Sequence, residues 1–267
     1  MLVKNILKVF KYEFLALARV LALIYAIIPA LSLIIGIFFR LAADKESSFF
    51  DAIFRSSTLE YVFFFLIQLF CITVAVTTLL GLSRRFRVGM FGNEAYLNWT
   101  LPVSINEHLC ARLLSSVAWL FIYLFAGLLS VILFSLCFID KIIADWNFSW
   151  TFIEDSFGCP ALAFFPLAFF SIFTSLLLFV LFVYMINCIG FLAKKKSLLV
   201  QVLSVIGCIF LVNYIGVNVA IPLIRDVFYK IPFFYTFTLG LSVTNLIYSA
   251  ICYGVCYLVL RYRLNLS

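Results

Sequence analysis

Charge is scarce in this sequence. Only 12% of its 267 residues are Asp, Glu, Lys or Arg, whereas a soluble domain carries roughly 25%. Hydrophobic residues make up 66% of the chain, phenylalanine alone occupies 33 positions, and the mean hydropathy is +1.19. Because water could not solvate a surface of this composition, the sequence predicts a protein of the lipid bilayer.

The sequence also lacks the motifs of several catalytic classes. It has no G-x-x-x-x-G-K-[ST] segment for nucleotide phosphates, no H-E-x-x-H segment and no C-x-x-C. Its single histidine, His108, cannot build a histidine metal site and is expected on a loop or a helix surface. We therefore expect no catalytic, cofactor or metal site. The eight cysteines favour packed thiols, and a disulfide between Cys137 and Cys159 stays open.

Six apolar runs are each long enough to cross a bilayer as a helix, which takes about 18 residues or more. The predicted spans are Val20–Phe39, Tyr61–Leu82, Leu113–Phe138, Leu162–Phe191, Leu198–Ala220 and Phe237–Leu260. None contains Asp, Glu, Lys, Arg or His. Ion-coupled transporters usually carry ionisable groups within their spans, so this absence weakens secondary transport.

Basic residues are unevenly distributed over the connections between the spans. The side that holds the N-terminus carries 13 of the 19 Lys and Arg, whereas nine of the 12 Asp and Glu lie on the other side. The positive-inside rule then places both termini in the cytoplasm. This topology explains the basic pI of about 9.0 better than nucleic-acid binding does.

Two segments outside the spans have patterns of their own. Residues 1–19 place apolar side chains such as Phe10 on one helical face and lysines such as Lys11 on the other. This pattern predicts an amphipathic helix in the membrane interface with its lysines toward the headgroups; an extension of the first span is the alternative. Residues 221–236 are apolar and interrupted by two prolines, which predicts short re-entrant or interfacial helices on the outer side.

Polar residues concentrate in a predicted cytoplasmic loop at residues 83–112. Ser104 and Glu107 fit the capping box S-x-x-E, so a helix is expected to begin there and to continue through Arg112 into the third span. Asn93 is expected to cap another short helix from Glu94 to Thr100. Such a rigid lever suits a push from a soluble partner, although an ordinary solvated loop is the alternative.

The loop resembles the membrane subunit of ABC-2-type ABC transporters. The similarity lies in Gly92-Asn93-Glu94-Ala95-Tyr96-Leu97, in Thr100-Leu101-Pro102-Val103-Ser104, and in a basic residue followed by Leu-Leu before a span. The ending Tyr262–Leu266 is also similar to family members. Three positions depart from the family pattern: Ala95 stands where glycine is usual, and Ala111-Arg112 stands where Gly-Lys is usual.

The resemblance implies a single permease domain, residues 1–267, in the cytoplasmic membrane of a bacterium. It would pair with a second permease subunit and bind separate ATP-binding cassette subunits, which hold ATP and Mg. The loop would be the coupling helix, with its docking or hinge residues at Glu94, Tyr96, Leu97, Thr100, Leu101 and Pro102. Family analogy places the substrate path near the second and fifth spans, where Gln68, Asn213 and Asn218 are the candidates.

We expect ATP-driven export of an amphiphilic cargo, an antimicrobial peptide or a lipophilic drug. The spans offer aromatic and neutral polar groups but no fixed charge for a compact ion. The alternative is that these aromatics only face lipid and pack the helices. A channel, a secondary transporter and a non-transporting membrane scaffold stay open as other functions, and a Walker-containing ATPase encoded beside the chain would favour the exporter.

The charge asymmetry predicts a topology that cysteine labelling can test. Single cysteines introduced at positions 86–104 and 192–197 should react with an impermeant reagent only after the membrane is permeabilised. Cysteines at positions 44–58 should react in intact cells. Labelling of the segment 84–87 from outside intact cells would contradict the prediction.

Overall fold

The computed structural model contains helices and no strand over the residues it describes, which are 2–44, 57–92, 94–95, 100, 103–137, 161–193, 199–207 and 233–263. The helices are α1 (Leu2–Asp44), α2 (Ser57–Phe91), α3 (Ile105–Leu136), α4 (Ala161–Leu192), α5 (the helical residues 199–207) and α6 (Phe233–Arg263). Helices suit a bilayer because every backbone N–H and C=O finds its partner within the segment.

Four helical segments are long and apolar enough to cross a membrane: Asn5–Ile37, Ile105–Leu136, Ala163–Leu192 and Phe237–Tyr262. They correspond to the predicted first, third, fourth and sixth spans, and they indicate a membrane protein. The predicted second span lies within α2, which is helical but is not among the four. Only residues 199–207 of the predicted fifth span are described. A total of six spans therefore stays a prediction.

α1 is longer than a membrane crossing requires. Its 43 residues correspond to roughly 65 Å at 1.5 Å per residue, about twice the hydrocarbon thickness. The amphipathic segment at residues 1–19 is not a separate helix but the N-terminal part of α1, as the alternative reading has it. The helix continues because no glycine or proline precedes Pro29. Whether that part lies at the membrane interface stays a prediction.

The described residues form two compact units. The first draws on Met1–Val9, Phe86–Val117 and Phe148–Ser267, and the second on Phe10–Arg85 and Ala118–Asn147. In both, large apolar side chains face outward while small polar ones are buried: Leu23 is 71% exposed, for example, whereas Thr174 and Ser242 are at most 1% exposed. This distribution reverses that of a soluble protein and is what hydrocarbon solvent favours.

In the second unit, α1 contacts both α2 and α3. The Tyr25 hydroxyl donates a hydrogen bond to Thr78 Oγ1 at 3.1 Å, and Arg85 Nε donates to Glu13 Oε2 at 3.0 Å, so α1 and α2 run antiparallel. The Phe14 ring stacks on the indole of Trp119, with ring centroids 4.8 Å apart, and the indole N–H donates to the Phe14 carbonyl at 3.2 Å.

The far ends of α1 and α3 also meet. A Cβ built on Gly36 would lie 2.7 Å from Cys137 Sγ, so the two helices approach closely there. Together with the stacking of Phe14 on Trp119, this contact makes α1 and α3 parallel neighbours. Cys137 carries a free thiol, and Cys159, its suggested disulfide partner, lies outside the described residues.

In the first unit, α6 packs on α4 through a seam of small polar side chains. Six buried positions of α6 alternate in steps of four and three, which is the spacing of a coiled-coil interface. They are Thr238, Ser242, Asn245, Ser249, Cys252 and Cys256, and Gly240 and Leu260 are buried as well. Small residues let helix backbones approach closely in a membrane. Asn245 Nδ2 donates to Ser175 Oγ of α4 at 2.9 Å, and Cys188 of α4 hydrogen-bonds to Cys256, so α4 and α6 run parallel.

The predicted re-entrant segment at residues 221–236 lies almost entirely outside the described residues. Only its last four residues are described, and they form the first turn of α6. The short helices expected before the last span therefore stay a prediction.

The seam predicts that a large side chain at Ser242 destabilises the protein. Ser242 is 1% exposed and its hydroxyl bonds to the Thr238 carbonyl at 2.7 Å, so leucine has no space there. Ser242→Leu should cost about 1–3 kcal/mol through overpacking and lower the melting temperature in detergent. Val243→Leu is the matched control, because Val243 is 54% exposed. Equal melting temperatures for the two variants would contradict the seam.

Candidate functional site

The predicted capping box at the start of α3 is confirmed. The backbone N–H of Ser104 donates to Glu107 Oε2 at 2.7 Å, and the N–H of Glu107 donates to Ser104 Oγ at 3.3 Å. The Ser104 hydroxyl also donates to Glu107 Oε2 at 3.0 Å. The carboxylate therefore closes the first turn, and the side chain of Asn5 adds a further hydrogen bond to it. α3 then continues without interruption through Arg112 to Leu136, as predicted.

The first two turns of α3 are buried rather than solvated. His108 is 1% exposed and Arg112 is 2% exposed, and Leu109 and Ala111 between them are fully covered. The expectation that His108 lies on a loop or a helix surface open to solvent is therefore wrong. The connection between helices is also shorter than the predicted loop at residues 83–112, because α2 continues to Phe91 and α3 begins at Ile105.

α2 ends at a position that only glycine can occupy. The N–H of Gly92 still bonds to the Val88 carbonyl at 3.1 Å, and a Cβ on Gly92 would lie 2.8 Å from that oxygen and 2.9 Å from the Val88 Cα. A backbone neighbour cannot move aside as a side chain can. The chain then turns, with the N–H of Ala95 bonded to the Gly92 carbonyl at 2.9 Å.

The sequence-predicted coupling residues are only partly described. Glu94 is half-buried in the turn after Gly92, and Thr100 is exposed. Tyr96, Leu97, Leu101 and Pro102 lie outside the described residues, as does Asn93 with most of the short helix expected from Glu94 to Thr100. Of the candidate substrate path, Gln68 lies in the helical part of α2, while Asn213 and Asn218 lie outside the described residues.

Arg112 joins α3 to the end of α2. Its guanidinium lies directly on Gly89, where a Cβ would overlap three of its atoms. The positively charged group is thus held between two helices in a space that exists because residue 89 has no side chain. An arginine this deeply covered is costly to move, since its charge would need new partners.

Tyr184 of α4 also contacts Arg112. Its hydroxyl donates to the Arg112 carbonyl at 3.1 Å, so the 2.6 Å contact with Ser116 Oγ is one in which Ser116 donates. The phenol ring stacks on Phe86 of α2, with ring centroids 3.9 Å apart and planes 13° from parallel. We call Phe86, Gly89, Arg112, Ser116 and Tyr184 the helix-end junction.

Two further contacts bring in α6 and the last turn of α4. The hydroxyl of Tyr253 in α6 donates to Asn106 Oδ1 at 3.2 Å and lies 3.5 Å from Cys110 Sγ. Phe91 of α2 stacks on Phe191 of α4, with ring centroids 4.2 Å apart. The ends of four helices therefore meet in one unit directly beside the turn that carries Glu94.

The sequence does not single out Gly89 or Tyr184 of this junction, and it places Arg112 only in the helix that continues into the third span and at a departure from the family motif. One signal was available: Ser115, Ser116 and Tyr184 are polar residues within apolar runs, and such residues face protein rather than lipid. The contact between Arg112 and Gly89 had no signal, because it depends on how two helices pack.

Comparisons of this chain with protein-family models, with curated proteins and with solved structures found no match. The similarity to ABC-2 permeases therefore depends on the loop motif and the tail alone.

The junction predicts that a single methyl group at residue 89 is disruptive. Gly89→Ala should push the Arg112 guanidinium away from α2 and lower the stability in detergent by about 1–3 kcal/mol. Gly127→Ala is the matched control, because a Cβ there meets no atom within 4 Å. The control should be neutral or up to ~1 kcal/mol more stable, since alanine favours a helix. A Gly89→Ala protein as stable as the control would exclude a tight junction.

Proposed function

We propose that this chain is the permease subunit of an ABC-2-type exporter and that a separate subunit hydrolyses ATP. The observation that carries the proposal is that the short connection between α2 and α3 has exposed residues and leads directly into the helix-end junction. Thr100 and Ser104 are exposed, whereas Glu107, His108 and Leu109, in the first turns of the helix that Ser104 caps, are buried. A soluble partner that pressed on the connection would act on a rigid helix within four residues.

The route of the movement follows from the contacts. The capping box keeps the first turn of α3 from unwinding, so a displacement of Ser104 is passed to the whole helix. Arg112 carries it to α2 through Gly89, and Tyr184 carries it to α4. Gly92 and the turn at Ala95 are the places where the backbone can bend without disturbing either helix.

The direction of the helices supports the proposed topology. α1 and α3 are parallel and α2 runs against α1, as expected for a chain that crosses, returns and crosses again. α4 and α6 are also parallel. A parallel pair needs an odd number of crossings between its members, which is the role proposed for Leu198–Ala220. Both termini would then lie on the same side, proposed to be the cytoplasm.

The proposed partners are an ATP-binding cassette subunit, which would hold ATP and Mg, and a second permease subunit. The proposed location is the bacterial cytoplasmic membrane. The proposed cargo is amphiphilic, an antimicrobial peptide or a lipophilic drug. Its support is the outward face of the described helices, where large apolar side chains such as Phe125 and Phe169 are more than 60% exposed. Such a cargo could enter from the bilayer without losing contact with hydrocarbon.

The proposal is tested by purifying the tagged chain from its host and identifying any bound protein with a Walker motif. In the reconstituted complex, Glu94→Ala and Pro102→Gly should reduce cargo-stimulated ATP hydrolysis to nearly the basal rate without reducing membrane insertion. Ser104→Ala should have a smaller effect, because a lost cap costs about 1 kcal/mol.

Leu128→Ala is the matched control for these variants. Leu128 lies on α3 and is 63% exposed, so its loss should leave ATP hydrolysis unchanged. A complex in which Glu94→Ala and Pro102→Gly both hydrolyse ATP normally would exclude the coupling role. A chain that purifies without any ATPase, or that moves a small hydrophilic solute without ATP, would favour a scaffold or a channel instead.

A further inference from the structure

One face of α1 changes from basic to apolar along its length. Lys11, Leu15 and Arg19 are each four residues apart and therefore share one side of the helix. All three are exposed, and the neighbouring Tyr12 is 74% exposed. We call Lys11, Tyr12, Leu15 and Arg19 the cationic face of α1.

The one acidic residue in this part of α1 is turned away from the cationic face. Glu13 is the sole Asp or Glu before Asp44, and it is 6% exposed. Arg85 of α2 donates its Nε–H to the Glu13 carboxylate at 3.0 Å. The acid is therefore neutralised on the covered side of α1, and α1 itself places no acidic residue beside Lys11 and Arg19 on the exposed side.

The orientation of α1 is fixed by contacts on the side opposite the cationic face. Phe14 stacks on Trp119, and the Trp119 indole N–H bonds to the Phe14 carbonyl. Leu17, Leu21 and Tyr25 continue the covered side and are at most 7% exposed. The helix cannot rotate its lysine and arginine inward without breaking this packing.

Beyond Arg19 the exposed side of α1 is apolar. Val20, Leu23, Ile27 and Ile34 are between 49% and 71% exposed, and no charged residue follows until Arg40. Such a change from basic to apolar is expected where a helix passes from headgroups into hydrocarbon. Lys11 and Arg19 are separated by roughly 12 Å along the helix. Long basic side chains bend toward the interface, so both can reach one headgroup layer.

We propose that the cationic face of α1 is a binding site for anionic phospholipids. Arg19 and Lys11 bind the phosphate and the negatively charged headgroup, since a guanidinium matches phosphate oxygens with two parallel hydrogen bonds. The Tyr12 ring lies at the interface, where aromatic residues with a polar group are favoured. Leu15, Val20 and Leu23 contact the acyl chains.

Charge distinguishes this lipid from its zwitterionic counterpart. A zwitterionic headgroup brings its own cation, which opposes Lys11 and Arg19, whereas an anionic headgroup does not. A juxtamembrane Lys or Arg contributes on the order of fivefold in affinity for an anionic surface, so two together contribute roughly 30-fold. Arg84 on α2 is exposed next to Arg85 and lies at the same level of the helices, which adds to the attraction.

The test titrates the purified full-length chain in detergent with phosphatidylglycerol or phosphatidylcholine and counts bound lipid by native mass spectrometry. The wild-type chain should bind phosphatidylglycerol more tightly. The double variant Lys11→Gln, Arg19→Gln should bind it roughly 30-fold more weakly, with phosphatidylcholine binding unchanged. Arg40→Gln is the matched control, because Arg40 is an exposed arginine at the other end of α1 and should leave lipid binding unchanged.

Three results would overturn the proposal. They are equal binding of the two lipids by the wild-type chain, equal loss in the Arg40→Gln control, and displacement of phosphatidylglycerol by millimolar inorganic phosphate or by an acidic peptide. The last would show a general anion site or a protein partner. Equal melting temperatures for the double variant and the wild type exclude misfolding as the cause. The test uses neither ATP nor a second subunit, so its outcome is independent of the proposed exporter function.

Discussion

A polar side chain on a helix that faces hydrocarbon has no partner there, and this constraint organises the described structure. Serine and threonine hydroxyls donate hydrogen bonds to backbone carbonyls of their own helix, as Ser242 does to Thr238 and Ser249 does to Asn245. Groups that cannot do so are placed between helices, as Asn245 is against Ser175. Helices therefore pack together where small polar residues recur along them. The large apolar residues lie on the outer surface, where they need no polar partner.

The same constraint acts more strongly on charge at the helix ends. Glu13 and Arg85 neutralise each other in one unit, and Arg112 occupies the space over Gly89 in the other. The Glu13–Arg85 pair fixes α1 and α2 in register, because removing one member would leave a covered charge without compensation. Arg112 fixes α3 against α2 by close packing on Gly89. Glycine at residue 89 is thus part of the arginine site even though it contributes no atom to bind it.

The sequence predicted the structure correctly where the residues of a single segment determine it. The apolar runs predicted helices, and the spacing of Ser104 and Glu107 predicted the start of α3, because both depend on residues within a few positions of each other. The extent of α1 was less predictable, since amphipathicity indicates a helical face but not whether the backbone bends between segments. The burial of His108 and Arg112 could not be predicted, because it depends on packing against residues distant in sequence, such as Gly89 and Tyr184 for Arg112.

The interlocking of helix ends limits what kind of motion the first unit allows. Phe86, Tyr184 and the Arg112 carbonyl are held by stacking and hydrogen bonding at once, so no one helix end can shift alone. Two fixed points flank the connection that carries Glu94, because Gly92 ends α2 sharply and the capping box begins α3 at Ser104. α3 is continuous for 32 residues, which corresponds to roughly 48 Å, and this is farther than the hydrocarbon layer is thick.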